Sequence, residues 1–134
     1  MSSSGAPADI AVRPAHYPRR APIEAYGSGG FRFAGMSHQG SLLCLPSGIY
    51  GWTPPERGDP DEEALARVFA EAIDIRILLI GTGREIAPLG EAIRWRCRAE
   101  RIVVEAMSTG AAVRTFNVLL AEDRAVAAAL RAVD

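Results

Sequence analysis

The chain has 134 residues, enough for one domain around one core, with 49% hydrophobic residues, 23% charged residues and a formal net charge of -1. That balance excludes a disordered chain and provides no global field for nucleic acid or an anionic membrane. Every cationic side chain is arginine, so neither a lysine Schiff base nor a P-loop lysine can exist here.

Residues 1–8 are small and polar and are expected to be disordered, without the basic and apolar regions of a signal peptide. Ile10–Arg20 mixes prolines with basic residues and reads as an extended surface arm. A short strand at Pro22–Tyr26, a turn at Gly27–Gly30 and a return strand at Phe31–Phe33 follow. Gly35 and Gly40 bracket a turn holding His38, and Ser41–Leu45 is a more buried strand stopped by Pro46. The first half is thus mainly antiparallel β. Ile49–Pro55 reads as a loop with aromatic cover, either packed over the sheet edge or offering Tyr50 and Trp52 to a partner.

The second half changes period. Asp59 as cap, Pro60 at the first helical position and Glu62 completing a capping box start a helix that ends near Ile73, with Leu65, Val68, Phe69 and Ala72 on one face. Ile75–Ile80 is a near-continuous apolar strand, as expected where both sheet faces are covered. Pro88 opens a helix, Arg101–Glu105 is a second parallel strand, and Ser108 or Thr109 caps a helix with Val113, Phe116, Asn117 and Leu120 inward. For Arg124–Leu130, propensity favours helix and βαβ topology favours a third parallel strand; a strand is expected.

Two strand-ending loops, Gly81-Thr82-Gly83 and Met107-Ser108-Thr109-Gly110, should therefore share one rim of the sheet, where open α/β sheets bind ligands. Neither is a Walker loop or a complete G-x-G-x-x-G. Each has two readings: a glycine turn or N-cap, or a cradle of N–H groups for an anion. Arg114 either pairs with Glu105 or contacts a ligand, and Asn117 is expected to satisfy loop carbonyls. Glu85 is expected to pair with Arg84. Cys44 and Cys97 match neither a zinc spacing nor a disulfide framework and are expected as free thiols; His38 is expected at a turn or strand edge. No metal cluster has useful spacing, and no nucleophile has its base and orienting group.

The ordered set Tyr26–Phe33, His38–Leu43, Leu45-Pro46 with Trp52, Leu78–Gly83, Met107–Leu119 and Glu122-Asp123-Arg124 resembles a small family of unknown biochemical function in bacteria and archaea. That family includes a mitochondrial assembly factor for respiratory complex I. The likeness spans residues 20–133, and its closing segment is the most specific part. It implies an α/β fold: a single compact domain with three layers, β/β/α, a hammerhead-like N-terminal β arm and a parallel βαβαβ core. Residues 1–20 would form a flexible arm and residues 21–134 the domain. It implies no enzyme activity and no cofactor.

Two functions follow as expectations. The favoured one is a non-catalytic binding or assembly module in a bacterial cytoplasm. Its partner would be a protein, such as a membrane-complex subunit or assembly component, met through Tyr50 and Trp52 or the β arm. Homo-oligomers are compatible with it, and nucleic acid and a membrane-spanning segment are not expected. The other is a small-molecule enzyme or sensor holding an anionic ligand between Gly81, Thr82 and Gly83 on one side and Ser108, Thr109, Gly110, Arg114 and Asn117 on the other.

Overall fold

Two sheets share one chain in the computed structural model, which describes residues 16–134. The expectations for residues 1–15 lie outside the described residues. Strand β1 (His16–Tyr17) is followed by a three-stranded antiparallel meander, β2 (Ile23–Gly27), β3 (Gly30–Phe33) and β4 (Met36–Gln39). This small sheet is the expected N-terminal β arm. Strands β5 (Ser41–Leu45) and β6 (Gly48–Trp52) form a hairpin in the large sheet. The rest alternates: α1 (Glu62–Ala70), a 3-10 turn at Ala72–Asp74, β7 (Ile77–Gly81), α2 (Glu91–Ala99), β8 (Val103–Met107), α3 (Thr109–Ala121) and β9 (Val126–Leu130).

The large sheet runs β1-β6-β5-β9-β7-β8. β7 is parallel to both β8 and β9, with Ile77 facing Val103 on one side and Val126 on the other. β5 joins β9 antiparallel, welding the hairpin to the βαβαβ core. The chain thus steps one way from β7 to β8 and back across β7 to β9. Right-handed crossovers then put α2 and α3 on opposite faces.

Alternation along the strands builds one core on each face. Leu78 and Ile80 pack with Leu43, Leu45, Val68, Ile93 and Cys97 beneath α1 and α2. Leu79, Leu42, Cys44 and Ala128 pack with Val113 and Phe116 of α3 and with Ile23, Phe31 and Phe33 of the small sheet. β9 is Val-Ala-Ala-Ala-Leu, buried at all five positions. Alanine is a poor strand former, but between β5 and β7 both its faces lie under other layers, and small side chains let those layers close in. Burial decides here, and the strand reading of this segment holds.

Several local expectations change. Asp61, not Asp59, caps α1, accepting from Ala64 N at 3.0 Å, while both Asp59 carboxylate oxygens accept from Gly90 N. α1 ends at Ala70 and tightens into the 3-10 turn, short of Ile73. α2 begins at Glu91, one turn beyond Pro88, because Leu89 is buried as part of the entry loop and Gly90 is the N-cap. Ile49–Trp52 is strand, not loop: Tyr50 and Ile49 pair with β5 on one side and β1 on the other. Of the two placements expected for His38, the strand edge holds and the turn does not: it lies on β4, the edge of the small sheet, but is 9% exposed, with Nε2 3.1 Å from Ser41 O.

Candidate functional site

Parallel β7 and β8 bring the loops after Gly81 and Met107 to one rim, as the strand pairing Gly81↔Met107 requires. The end of β9 joins them, since Arg131 N donates to Gly81 O at 3.0 Å. Gly81 is needed by space: a Cβ there would stand 3.0 Å from Thr109 Cα and 3.1 Å from Leu130 Cδ2. Gly83 has φ +112°, a backbone that side chains rarely tolerate.

The two loops are bonded to each other. Thr82 N donates to Met107 O at 2.9 Å, and Thr109 N to Gly83 O at 2.8 Å. Thr109 Oγ1 accepts from Gly83 N at 3.0 Å and donates to Arg131 O at 2.8 Å. Thr82 Oγ1 lies 2.7 Å from Glu85 O and 3.2 Å from Met107 O and accepts from Ala87 N at 3.0 Å. Ser108 caps α3, its hydroxyl accepting from Ala111 N at 3.3 Å. The Gly83, Thr109 and Ala111 N–H groups, three that an anion at this rim would use, are therefore engaged inside the protein.

Asn117 also works across layers. Its Oδ1 accepts from Ile23 N at 2.8 Å and its Nδ2 donates to Ile23 O at 2.9 Å, so one side chain completes the backbone pairing of β2. Its partner is that strand, not a rim loop. Gly110 allows Tyr26 to reach α3, because a Cβ there would collide with the Tyr26 hydroxyl; Arg114 Nη1 lies 3.5 Å from the same point. The expected Arg114–Glu105 and Arg84–Glu85 pairs do not form; the ion pairs among the described residues are Arg96–Glu100 and Arg124–Glu122.

Trp52 is 7% exposed and its Nε1 donates to Leu42 O at 3.1 Å. Tyr50 is half-buried, its ring under Arg67 at 5.0 Å and its hydroxyl 2.6 Å from Ser47 Oγ. Both cysteines are buried and free; burial pushes the Cys44 thiol well up and the Cys97 thiol up, the latter against the opposing charge of Arg96, and both shifts disfavour the nucleophilic thiolate. Burial lowers the His38 pKa, partly offset by its bond to Ser41 O. No group of three metal-binding side chains occurs among the described residues.

Three surface features escaped the sequence. A cleft of about 250 Å³ lies between the rim and the 56–60 loop, bounded by Trp52, Asp59, Thr82, Leu89 and Arg131. A groove of about 650 Å³ runs between α1 and α2. β8 ends the large sheet with one edge unpaired among the described residues. The open edge follows from the order of strands, which no local signal carries.

The fold and rim define a three-layer α/β domain whose two rim loops are hydrogen-bonded to each other. The chain belongs to a protein family of unknown function, DUF498/DUF598, whose model matches residues 23–131. An uncharacterised Rhodobacter capsulatus protein is 40% identical over 81% of this chain and 82% of its own length. The mouse NADH dehydrogenase (ubiquinone) 1 alpha subcomplex assembly factor 3 is 30% identical over 90% of this chain and 65% of its own length. The chain thus spans slightly less than two thirds of that relative. Among solved structures, one described as an outer membrane protein from Bartonella henselae is 58% identical, with TM-score 0.84 over 88% of this chain and 99% of that one. A Bordetella pertussis Mth938-like domain has TM-score 0.69 at 27% identity over 84% of this chain and 85% of that one. No helix among the described residues is long and apolar enough to cross a membrane.

Proposed function

We propose that this protein is a non-catalytic binding factor that assists the assembly of a membrane-bound respiratory complex, acting from the cytoplasm on a protein partner. The observation that carries it is the likeness to complex I assembly factor 3, which runs over 90% of this chain for the mouse protein and 81% for the Xenopus tropicalis one. The internal bonding of Gly83, Thr109, Ala111 and Asn117 supports it over a ligand site at the rim, because those groups already have partners. The buried thiols of Cys44 and Cys97 add no activated nucleophile.

The test is affinity capture of the tagged full chain from gently solubilised bacterial membranes, read by mass spectrometry. Enrichment of respiratory-complex subunits, with a fall in assembled complex when the gene is deleted, is the expected result. Capture without any such subunit, together with normal complex levels in the deletion strain, refutes it. Fractionation of the same cells checks the compartment.

A further inference from the structure

The open edge of β8 differs from an ordinary sheet edge. Val103 N donates to Arg76 O, and Met107 O accepts from Thr82 N, so the odd-numbered residues of β8 bond towards β7. In a parallel ladder the residues between them, Val104 and Ala106, direct N–H and C=O the other way, into the open. Natural edges are blunted by proline, a bulge or central charge. β8 has no proline and its register with β7 is unbroken; it keeps one of these devices, the exposed central charge of Glu105, which alternation puts on the face away from α2.

The two sides of this edge differ in chemistry. On one side lies α2, which packs on β7 and β8 through Ile93 and Cys97. Its Arg96 stacks on Phe69 of α1 at 4.4 Å, which fixes the flank facing α1. At about 100° per residue, Arg94 and Arg98 fall on the opposite flank, towards the open edge. Arg101 follows in the turn leading into β8, and all three are exposed. Glu91 is the acid on that flank, and Glu100 is held by Arg96 at 3.2 Å. The flank is therefore cationic in a chain whose net charge is -1. On the other side, Val103 is 58% exposed on β8 and shares its face with the exposed Glu105.

We infer that β8 is a docking edge for an extended segment of a protein partner in which acidic and apolar residues alternate. The segment adds a seventh strand to the six of the large sheet. Its backbone bonds to Val104 and Ala106, its acids face Arg94, Arg98 and Arg101, and its apolar residues lie on the other face beside Val103. The inference rests on the partner-binding reading above and names the partner's chemistry. A second copy fits poorly: two-fold pairing of β8 with itself would bring both arginine flanks together on one face. The chain's own first fifteen residues have one acid, Asp9, and one arginine, Arg13, and so lack the pattern.

The test uses the full chain and a fluorescent peptide of about nine residues alternating glutamate and valine, followed by anisotropy. A counterpart with lysine for glutamate is the control. The acidic peptide binds, the lysine peptide does not, and binding weakens severalfold between about 50 and about 200 mM salt. Ala106→Pro removes an outward N–H while leaving the β7–β8 ladder intact, and weakens binding at least about tenfold. The double substitution Arg94→Glu with Arg98→Glu does the same on exposed side chains, and carries the test if the proline variant fails to fold. Absence of wild-type binding up to about 1 mM peptide overturns the inference. So does equal binding of the lysine peptide, or a wild-type dimer that Ala106→Pro dissolves. Membrane capture separates the two ideas: if a folded Ala106→Pro variant still recovers respiratory subunits, the edge is wrong and the assembly role stands. If peptide binds and no subunit is captured, the reverse holds.

Discussion

Thr109 is the place where the rim is most directly tested. Its side chain is fully buried, its hydroxyl accepts from Gly83 N at 3.0 Å and donates to Arg131 O at 2.8 Å. One oxygen thus ties the loop after β7, the start of α3 and the end of β9. Thr109→Val keeps the shape and removes the hydroxyl, leaving one backbone donor and one acceptor without partners. Each orphaned group costs about 1–3 kcal/mol, so the variant should lose about 2–4 kcal/mol. Thr109→Ser keeps both bonds and loses one methyl group, about 1 kcal/mol. In equilibrium urea unfolding, with a slope of about 2 kcal/mol per molar, the valine midpoint falls by about 1–2 M and the serine midpoint by about 0.5 M. A valine variant within about 0.5 kcal/mol of wild type, with serine the weaker of the two, refutes the reasoning. The hydroxyl would then be a group available to a ligand and not an internal tie.

Asn117→Ala should cost about 2 kcal/mol, because it strands the Ile23 N–H and C=O together, and Asn117→Asp should recover only the part due to the Ile23 N–H; urea midpoints of the two variants check this. Gly81→Ala places a methyl group 3.0 Å from Thr109 Cα, which is backbone and cannot swing aside, so about 1–3 kcal/mol should be lost, with faster amide exchange at the end of β7. His38 gives a pH dependence whose sign is set by its lowered pKa. The unfolded chain takes up the His38 proton near its ordinary pKa of about 6.5 and the folded chain only at lower pH. Below about 6.5 the unfolded state binds more protons, so stability is lost as the pH is lowered through that range and the contribution is flat above it. His38→Gln should flatten the part of the decline that wild type shows between about pH 7 and about pH 5; an unchanged slope would contradict the assignment.

The parallel core was legible because its signals are local. Ile75–Ile80 is apolar at almost every position, glycines follow it, and a serine caps the helix that follows the second parallel strand. Segments decided by distant neighbours were less so. β9 has three alanines in a row and is a strand only because β5 and β7 flank it. Ile49–Trp52 carries aromatics and glycine that suit a loop, and becomes β6 because β5 supplies a hairpin partner on one side and β1 pairs on the other. The misplaced helix start at Asp59 has a similar cause. Asp59 and Asp61 are equivalent as local caps, and the choice is made by Gly90, which engages Asp59 from 31 residues away.

The candidate site divides along the same line. Sequence could place Gly81–Gly83 beside Ser108–Gly110, because parallel wiring demands it. It could not say whether their N–H groups face a ligand or one another, since that depends on the arrival of Arg131 and on a hydroxyl turned inward at Thr109. The burial of the aromatic and aliphatic side chains departs from local pattern for a related reason. Trp52 looks like an anchor in sequence but lies inside the sheet hairpin, whereas Val103 reads as an ordinary core valine and is 58% exposed. Its exposure follows from β8 being last in the sheet, a consequence of the chain turning back from β8 across β7 to form β9. That reversal closes the rim, because it brings β9 and Arg131 against Gly81, and it leaves β8 with nothing beyond it. A protein built this way uses the Gly83, Thr109 and Ala111 donors on itself and leaves those of Val104 and Ala106 at an open edge, which is the geometry the docking proposal requires.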